Sequence, residues 1–447
     1  MAAKLRTLGF EPSKADDDLW IRAQDDHYEF IATYVDDLLV FSRDPSPIIE
    51  EIRDDYILKG VGEPEYYLGA DMEALNQEWQ KDSATSAIAS NTYIKRVTER
   101  FELLEGGNPL PNASVPMSSE YHPELETSSF VSPIMATKYR GMIGSANWLV
   151  TLGRLDIAFA TNSLSRYSMA PREGHYKAMR AVLGYLKTNP NGKIVFDPTK
   201  LRRLATATSS DEEYFKPWEN KYPGLSEDLP PDLLPETKGA STTLSCYVDA
   251  DHARDQVTRR SVTGMIIFMG STPIVWMSKR QNTVETSTYG AEMVAARIAT
   301  ERVIEVRWNL RAMGVLIEGP TMMYGDNKSV ILSTTMPSSV LKKKHLSCNY
   351  FRIREAIAAR ILRFEFVPTH MNYADVLTKP LAKSVFNKLI KPILFRIPPN
   401  QRSEIQQIIP DHILPTTNTK TLSENTQPLM TSEMTLSPFP IVPAAAA

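Results

Sequence analysis

The chain has 447 residues, 42% hydrophobic and 23% charged, with 50 Lys+Arg against 53 Asp+Glu and a net charge of −3. That length holds about three units at roughly 150 residues each, and the composition excludes a wholly disordered or collagen-like chain. A near-neutral total excludes a uniformly basic nucleic-acid binder but leaves room for a basic groove around an acidic centre.

Residues 1–105 open with a short helix and a polar loop. Two apolar strands, Tyr28–Tyr34 and Leu38–Ser42, then flank Asp36-Asp37, the signature of a hairpin. A further extended segment is expected over Tyr66–Met72. Tyr93, Ile94, Val97, Phe101 and Leu104 recur at helical spacing between Asn91 and Leu104. In 106–198 a Pro- and Ser-bearing connector from Gly106 to Pro133 precedes helical periodicity over Tyr139–Thr151, Leu155–Tyr167 and His175–Lys187. The stretch 199–240 reads as a linker by its prolines, LPPDLLPETKG above all.

The pattern changes in 241–385. Strands Leu244–Val248, Val262–Phe268 and Pro273–Trp276 lead into a long helix from Thr288 to Met313. There follow a strand (Thr321–Tyr324), helices around Lys328–Thr334 and Asn349–Arg360, a strand (Ile361–Val367) and a last helix starting near Tyr373. This is an α/β order. From 386 the chain is expected to become a largely disordered tail, rich in Thr, Ser, Pro and Ala beyond Pro398.

No apolar run approaches the ~18 residues of a membrane span, and MAAKLRTLGF lacks a signal peptide's apolar stretch. Cys246 and Cys348, the two cysteines, form no CxxC pair. The expectation is an intracellular protein, cytoplasmic or nuclear, with no membrane partner and no secretion.

Four acids stand at element ends in the C-terminal part: Asp249, Glu292, Asp326 and Asp375. Brought together they would repel, by about 4 kcal/mol per pair at 4 Å and an effective dielectric near 20. Such a cluster makes sense around hard cations, Mg²⁺ or Mn²⁺. Two ions ~3.5–4 Å apart could serve a phosphodiester displacement. Taken singly, each acid is more readily explained as a helix cap or first-turn charge.

Five blocks decide between these readings: CYVDADHARD, RRSVTGMIIFMGSTPIVWMSKRQNTVETSTYGAEMVAA, YGDNKSV, KKKHLSCNYFRIREAI and FVPTHMNYADVLTKPL. Together and in order they resemble the ribonuclease H domain of copia-type LTR retrotransposon polyproteins. The resemblance implies that Asp249, Glu292, Asp326 and Asp375 are catalytic and hold two Mg²⁺ ions (Mn²⁺ as a substitute). It also implies cleavage of the RNA strand of an RNA–DNA hybrid. Lys279, Arg280, Lys344 and His345 are candidate nucleic-acid contacts near that site, alongside Arg259 and Arg260. Asp251 and His370 are weaker candidates, for a ligand and for a mobile acid/base.

Tyr34-Val35-Asp36-Asp37 resembles the YxDD hairpin of reverse transcriptases, in which Asp36 and Asp37 would mark the polymerase metal site. The flanking LRTLGFEPSKADDDLW, YYLGADME and TYIKRVTERFELL, and the helical run from YRGMIGSANW to GYLKTNP, resemble the end of that family's palm and its thumb. The family's other metal-binding Asp lies on an upstream strand that this sequence does not show, so Asp36 and Asp37 are expected to be a vestigial site with polymerase activity lost by truncation.

The expected fold is multidomain, α/β and α+β: a partial reverse-transcriptase palm and thumb, then a ribonuclease H-like mixed sheet with flanking helices. Its partners would be hybrid nucleic acid and other parts of a retroelement polyprotein. The rival reading is an inactive remnant that at most binds nucleic acid. A different nuclease on the same scaffold, such as an integrase, is disfavoured by the YVDD segment.

Overall fold

The computed structural model describes residues 1–75, 86–199, 209–230, 234–396 and 441–446. It is a mixed α/β structure with four sheets.

The N-terminal sheet is antiparallel. β1 (Leu19–Ala23), β2 (Tyr28–Tyr34) and β3 (Asp37–Phe41) are consecutive neighbours, and strand Ile441–Ala446 lies between β3 and the short strand Leu58–Lys59. Its apolar side closes over Leu5, Phe10, Trp20, Ile31, Val40 and Ile52. The segment expected as one strand over Tyr66–Met72 is a tight hairpin instead: Tyr66–Tyr67 pairs with Ala70–Ala74. Leu68 and Gly69 take φ of 48° and 90°, and the glycine makes that turn accessible.

Helices α1 (Asn91–Leu104), α2 (Pro133–Thr151), α3 (Ala158–Ser165) and α4 (Glu173–Thr188) follow. They pack through Phe101, Tyr139, Met142, Leu149, Met179 and Leu183. A 3₁₀ turn, Leu155–Ile157, precedes α3. The buried Arg154–Asp156 pair, reinforced by the Tyr185 hydroxyl, fixes that corner.

Where a linker is expected, the structure places helix α5 (Asp211–Lys221). Phe215 and Trp218 are buried in a core shared with the following sheet, and the Trp218 indole N–H donates to the Thr335 carbonyl at 3.0 Å. Farther along, Glu227 binds Arg307 at 2.9 Å and also pairs with Arg311. Composition marks 199–240 as irregular; two aromatic side chains and one acid dock much of it.

The largest sheet is built from β4 (Leu244–Ala250), β5 (Val262–Met269), β6 (Thr272–Arg280), β7 (Thr321–Gly325) and β8 (Leu362–Phe366), in the order β6-β5-β4-β7-β8. The first three are antiparallel hairpins; β7 and β8 run parallel to β4. Between β6 and β7 the chain forms α6 (Thr288–Ala312), the crossover that a parallel return requires. Helices α7 (Lys328–Thr335) and α8 (Ser347–Ala358) precede β8.

Every residue of β4 is buried, as a central strand covered on both faces must be. Cys246 and Val248 pack with α6 and α8, whereas Tyr247 belongs to the cluster that contains α1–α4. The helices expected to be a separate unit therefore share one continuous core with the sheet.

The last helix does not start at Tyr373. A 3₁₀ stretch, Tyr373–Leu377, comes first, and α9 (Lys383–Leu394) begins beyond Pro380. Proline disfavours helical geometry in the residue before it, here Lys379. The expected tail boundary at 386 falls inside α9, strand Ile441–Ala446 pairs with β3 where a disordered tail is expected, and the rest of that expectation, 397–440 and 447, lies outside the described residues.

Candidate metal centre and its cleft

Asp249 is the penultimate residue of β4, Glu292 sits one turn into α6, and Asp326 directly follows β7. Each position has a local cause. The apolar run LSCYV makes a buried strand that delivers Asp249 at its end. The Ser287 side chain accepts from the Gly290 N–H and starts α6 just before Glu292. The parallel pairing of β7 with β4 brings Asp326 to the same end of the sheet.

Oxygens of these three carboxylates lie within 4.8 Å of one another, and this is the one such group of three metal-ligating side chains among the described residues. Burial first, then the neighbouring charge of Asp249, pushes the Glu292 and Asp326 carboxyls above their ordinary values. For Glu292, Asp326 adds to that effect.

Asp375 lies outside the tight group but beside it. Burial, followed by Asp249, raises its carboxyl too. Lys379 joins them, its Nζ 3.0 Å from Asp375 Oδ1 and 3.5 Å from Asp249 Oδ2. Burial lowers the Lys379 ammonium, but the two carboxylates outweigh it and hold its proton more tightly than usual. Around these charges, Thr378 Oγ1 donates to Asp249 Oδ2, and Thr369 Oγ1 donates to Asp326 Oδ2 at 2.7 Å.

The segment carrying Asp375 is fixed from below. Tyr373 packs edge-on against Tyr247 at 4.8 Å, and Asn372 Nδ2 donates to the Val248 carbonyl at 2.9 Å. Gly264, the β5 partner of Asp249, permits that approach: a Cβ there would stand 2.6 Å from Thr378 Cγ2 and 2.8 Å from the Ala374 carbonyl.

The weaker candidates fall differently. β4 ends at Ala250, so Asp251 does not continue the strand; its buried Oδ1 accepts from the Val262 N–H. Burial pushes that carboxyl up to about 7. His370 is exposed on the Thr369–Met371 turn. Lys279 is exposed on β6, while Arg280 is turned toward Asp255 at 3.5 Å. Lys344 is exposed, and His345 stands 3.7 Å from Glu285. None of these four basic residues lines the cleft described next; Arg259 does.

Asp36 is exposed in the two-residue turn between β2 and β3, and Asp37 is half-buried at the start of β3. Val35, in the same turn, holds φ of 53°, a strained conformation for a β-branched residue. No third metal-ligating side chain joins the two acids at ligand spacing among the described residues.

Sequence reasoning did not single out Lys379, Thr378, Thr369 or Asn372. For Lys379 a signal was present, since it lies four residues after Asp375, within the helix that the sequence leads one to expect there. The carboxylates open onto a cleft of about 890 Å³, whose lining also includes His122, Arg254 and Arg259.

No protein-family model matches the chain. It is similar to retrovirus-related Pol polyproteins of copia-type transposons. The relative from transposon RE1 of Arabidopsis thaliana is 26% identical over 403 residues, covering 89% of this chain and 24% of the relative. That from TNT 1-94 of Nicotiana tabacum is 24% identical over 376 residues, 82% of this chain and 24% of the relative. A putative transposon Ty5-1 protein of Saccharomyces cerevisiae is 24% identical over 309 residues, 68% of this chain and 82% of that protein. The chain thus spans about a quarter of the length of the first two. Among solved structures it is similar to the N-terminal ribonuclease H domain of a Mycobacterium tuberculosis protein (TM-score 0.24, 16% identity, 31% of this chain and 91% of that one). It is also similar to ribonuclease H1 of Halobacterium salinarum (TM-score 0.24, 15% identity, 31% and 95%). Among the described residues, no helix is long and apolar enough to cross a membrane.

Proposed function

We propose that this retrotransposon Pol-like chain is a ribonuclease H-type endonuclease, hydrolysing the RNA strand of RNA–DNA hybrids with divalent metal. The observation that carries the reading is the convergence of Asp249, Glu292 and Asp326, from three separate elements, within 4.8 Å. Two buried carboxylates and a half-buried one at that spacing, with Glu292 and Asp326 pushed up by burial and then by the charge of Asp249, call for a counter-cation. An all-oxygen donor set suits Mg²⁺ or Mn²⁺. Asp249, Glu292 and Asp326 would hold the first ion, and Asp249 with Asp375 a second. When bound, the metal supplies an activated water and neutralises charge on the leaving oxygen.

The chain's own groups do the rest. Asp249 and Asp326 are held in place by the Thr378 and Thr369 hydroxyls. Glu292, rigid on α6, orients the attacking water. Asp375, on a short 3₁₀ segment, completes the site and helps product leave. Lys379 offsets part of the burial and of the Asp249 charge that raise the Asp375 carboxyl. The Tyr34–Asp37 turn is read as a vestigial polymerase hairpin, supported by the lack of a third ligand near Asp36 and Asp37 among the described residues. Primer extension by this chain is expected to be absent, and sustained nucleotide incorporation would refute that part.

The test is incubation of the purified chain with labelled hybrid and Mg²⁺. Cleavage is expected, with Asp326→Asn slower by two or more orders of magnitude, in line with losing about 3 kcal/mol of transition-state stabilisation. Absence of cleavage, or an unimpaired Asp326→Asn, would remove the nuclease reading.

A further inference from the structure

The cleft that begins at the three acids does not end within the five-stranded sheet. Its lining brings together His122, from the connector before α2, and Arg254 and Arg259, from the loop between β4 and β5. The two walls are tied to each other. Arg254 Nη2 donates to the Ser119 carbonyl at 3.1 Å, and the Gln256 N–H donates to Glu124 Oε1 at 3.1 Å.

Asp255 anchors the loop from beneath. One of its oxygens accepts from the N–H groups of Val257 and Thr258 at 3.2 and 2.8 Å; the other binds Arg166, just after α3, at 2.9 Å and Arg280 at 3.5 Å. Two loop residues, Ala253 and Arg259, hold φ of 51° and 57°, which non-glycine residues adopt only at a cost of about 1–2 kcal/mol each. The bonding around them maintains that strain.

The cleft carries both signs of charge: Asp249, Asp251, Glu292 and Asp326 line it together with Arg254, Arg259, Lys328 and Lys379. Arg259 is exposed and makes no ion pair among the described residues. His122 Nδ1 meets Glu124 at 2.9 Å, which leaves Nε2 for a ligand. Two arginines and a histidine on the cleft of the three acids match a polyanionic strand whose one phosphate is attacked and whose next phosphates must be held.

Resting on the nuclease reading above, we propose that His122, Arg254 and Arg259 form a phosphate-binding arm. It holds the nucleic-acid backbone adjoining the scissile bond, so the substrate groove requires the connector segment Ser119–Glu124 from outside the five-stranded sheet. The arm positions substrate and takes no part in bond breaking.

The experiment uses the full chain. Hybrid binding is followed by fluorescence anisotropy over a range of KCl in Ca²⁺, and cleavage kinetics in Mg²⁺. For His122→Ala/Arg259→Ala the slope of log K against log salt is expected to fall by about 1, near 0.9 for the phosphate that Arg259 no longer neutralises. KM should rise about fivefold or more with kcat within about twofold, the signature of weakened uniform binding. Arg259→Lys, which keeps the charge, should restore most of the slope. Arg259 is exposed, so its replacement leaves folding intact; an unchanged melting temperature checks this. A double variant with the wild-type slope and KM overturns the arm, as does a fall in kcat alone. Hybrid binding with an arm-dependent slope but no cleavage supports the arm and removes only the nuclease reading.

Discussion

Lys379 shows how one side chain sets the character of the acidic centre. Its ammonium lies within 3.5 Å of two carboxylates, and it counters part of the burial and of the Asp249 charge that raise the Asp375 carboxyl. It thereby adds a fixed positive charge next to any divalent ion. Lys379→Met should bind Mn²⁺ about three- to tenfold more tightly, a change near 1 kcal/mol for one screened like charge removed. The same variant without metal should melt at lower temperature, because Asp249 and Asp375 lose their neutralising partner. Calorimetric Mn²⁺ titration and thermal denaturation read the two effects. Unchanged affinity would mean that Lys379 does not act on the ion. Arg280 teaches the opposite lesson: it looks like a phosphate contact in the sequence, yet Asp255 engages it within the fold.

Among the elements, the meeting of β5 with the 3₁₀ stretch Tyr373–Leu377 decides where the fourth acid stands. Gly264 faces Asp249 across the ladder and lets Thr378 and Leu377 pack where a Cβ would clash. Gly264→Ala should cost about 1–3 kcal/mol from overpacking. Because the displaced atoms belong to the segment carrying Asp375, cleavage should fall further than stability does. Cleavage unchanged from wild type would show that Asp375 does not need that seat. Helix α5 is a second instance. Trp218 is buried and bonded to Thr335, so Trp218→Ala should destabilise the chain by about 3–5 kcal/mol, measured by urea denaturation. A free tether would lose nothing.

For the molecule as a whole, docking of the 209–230 region gives stability a pH dependence. Burial pushes the Glu227 carboxyl up, but hydrogen bonds from Arg307 and Arg311 outweigh it and hold it below its ordinary value of 4.5. A carboxyl lowered in the folded state stabilises above its unfolded value and ceases to do so as pH falls through the folded one. Glu227→Gln should therefore lose about 2 kcal/mol at neutral pH, the scale of a charged hydrogen bond. The gap to wild type should narrow progressively below pH 4.5. A gap independent of pH would place the effect in packing and not in charge.

Local patterning along the chain was enough to set the alternation of elements, the apolar central strand, and the placement of Asp249, Glu292 and Asp326 at element ends. Periodicity, capping and runs of β-branched residues act over a few neighbours, so the sequence carries them openly. Folding in three dimensions then settled that three of the four acids form a tight group while Asp375 reaches it beside Lys379. It likewise left Asp36 and Asp37 without a third ligand among the described residues. The docking of α5 and the joining of the connector to the cleft wall belong to the same class. Each depends on contacts between residues tens to hundreds of positions apart, where packing and the desolvation of charge, neither of them written in any local pattern, set the outcome.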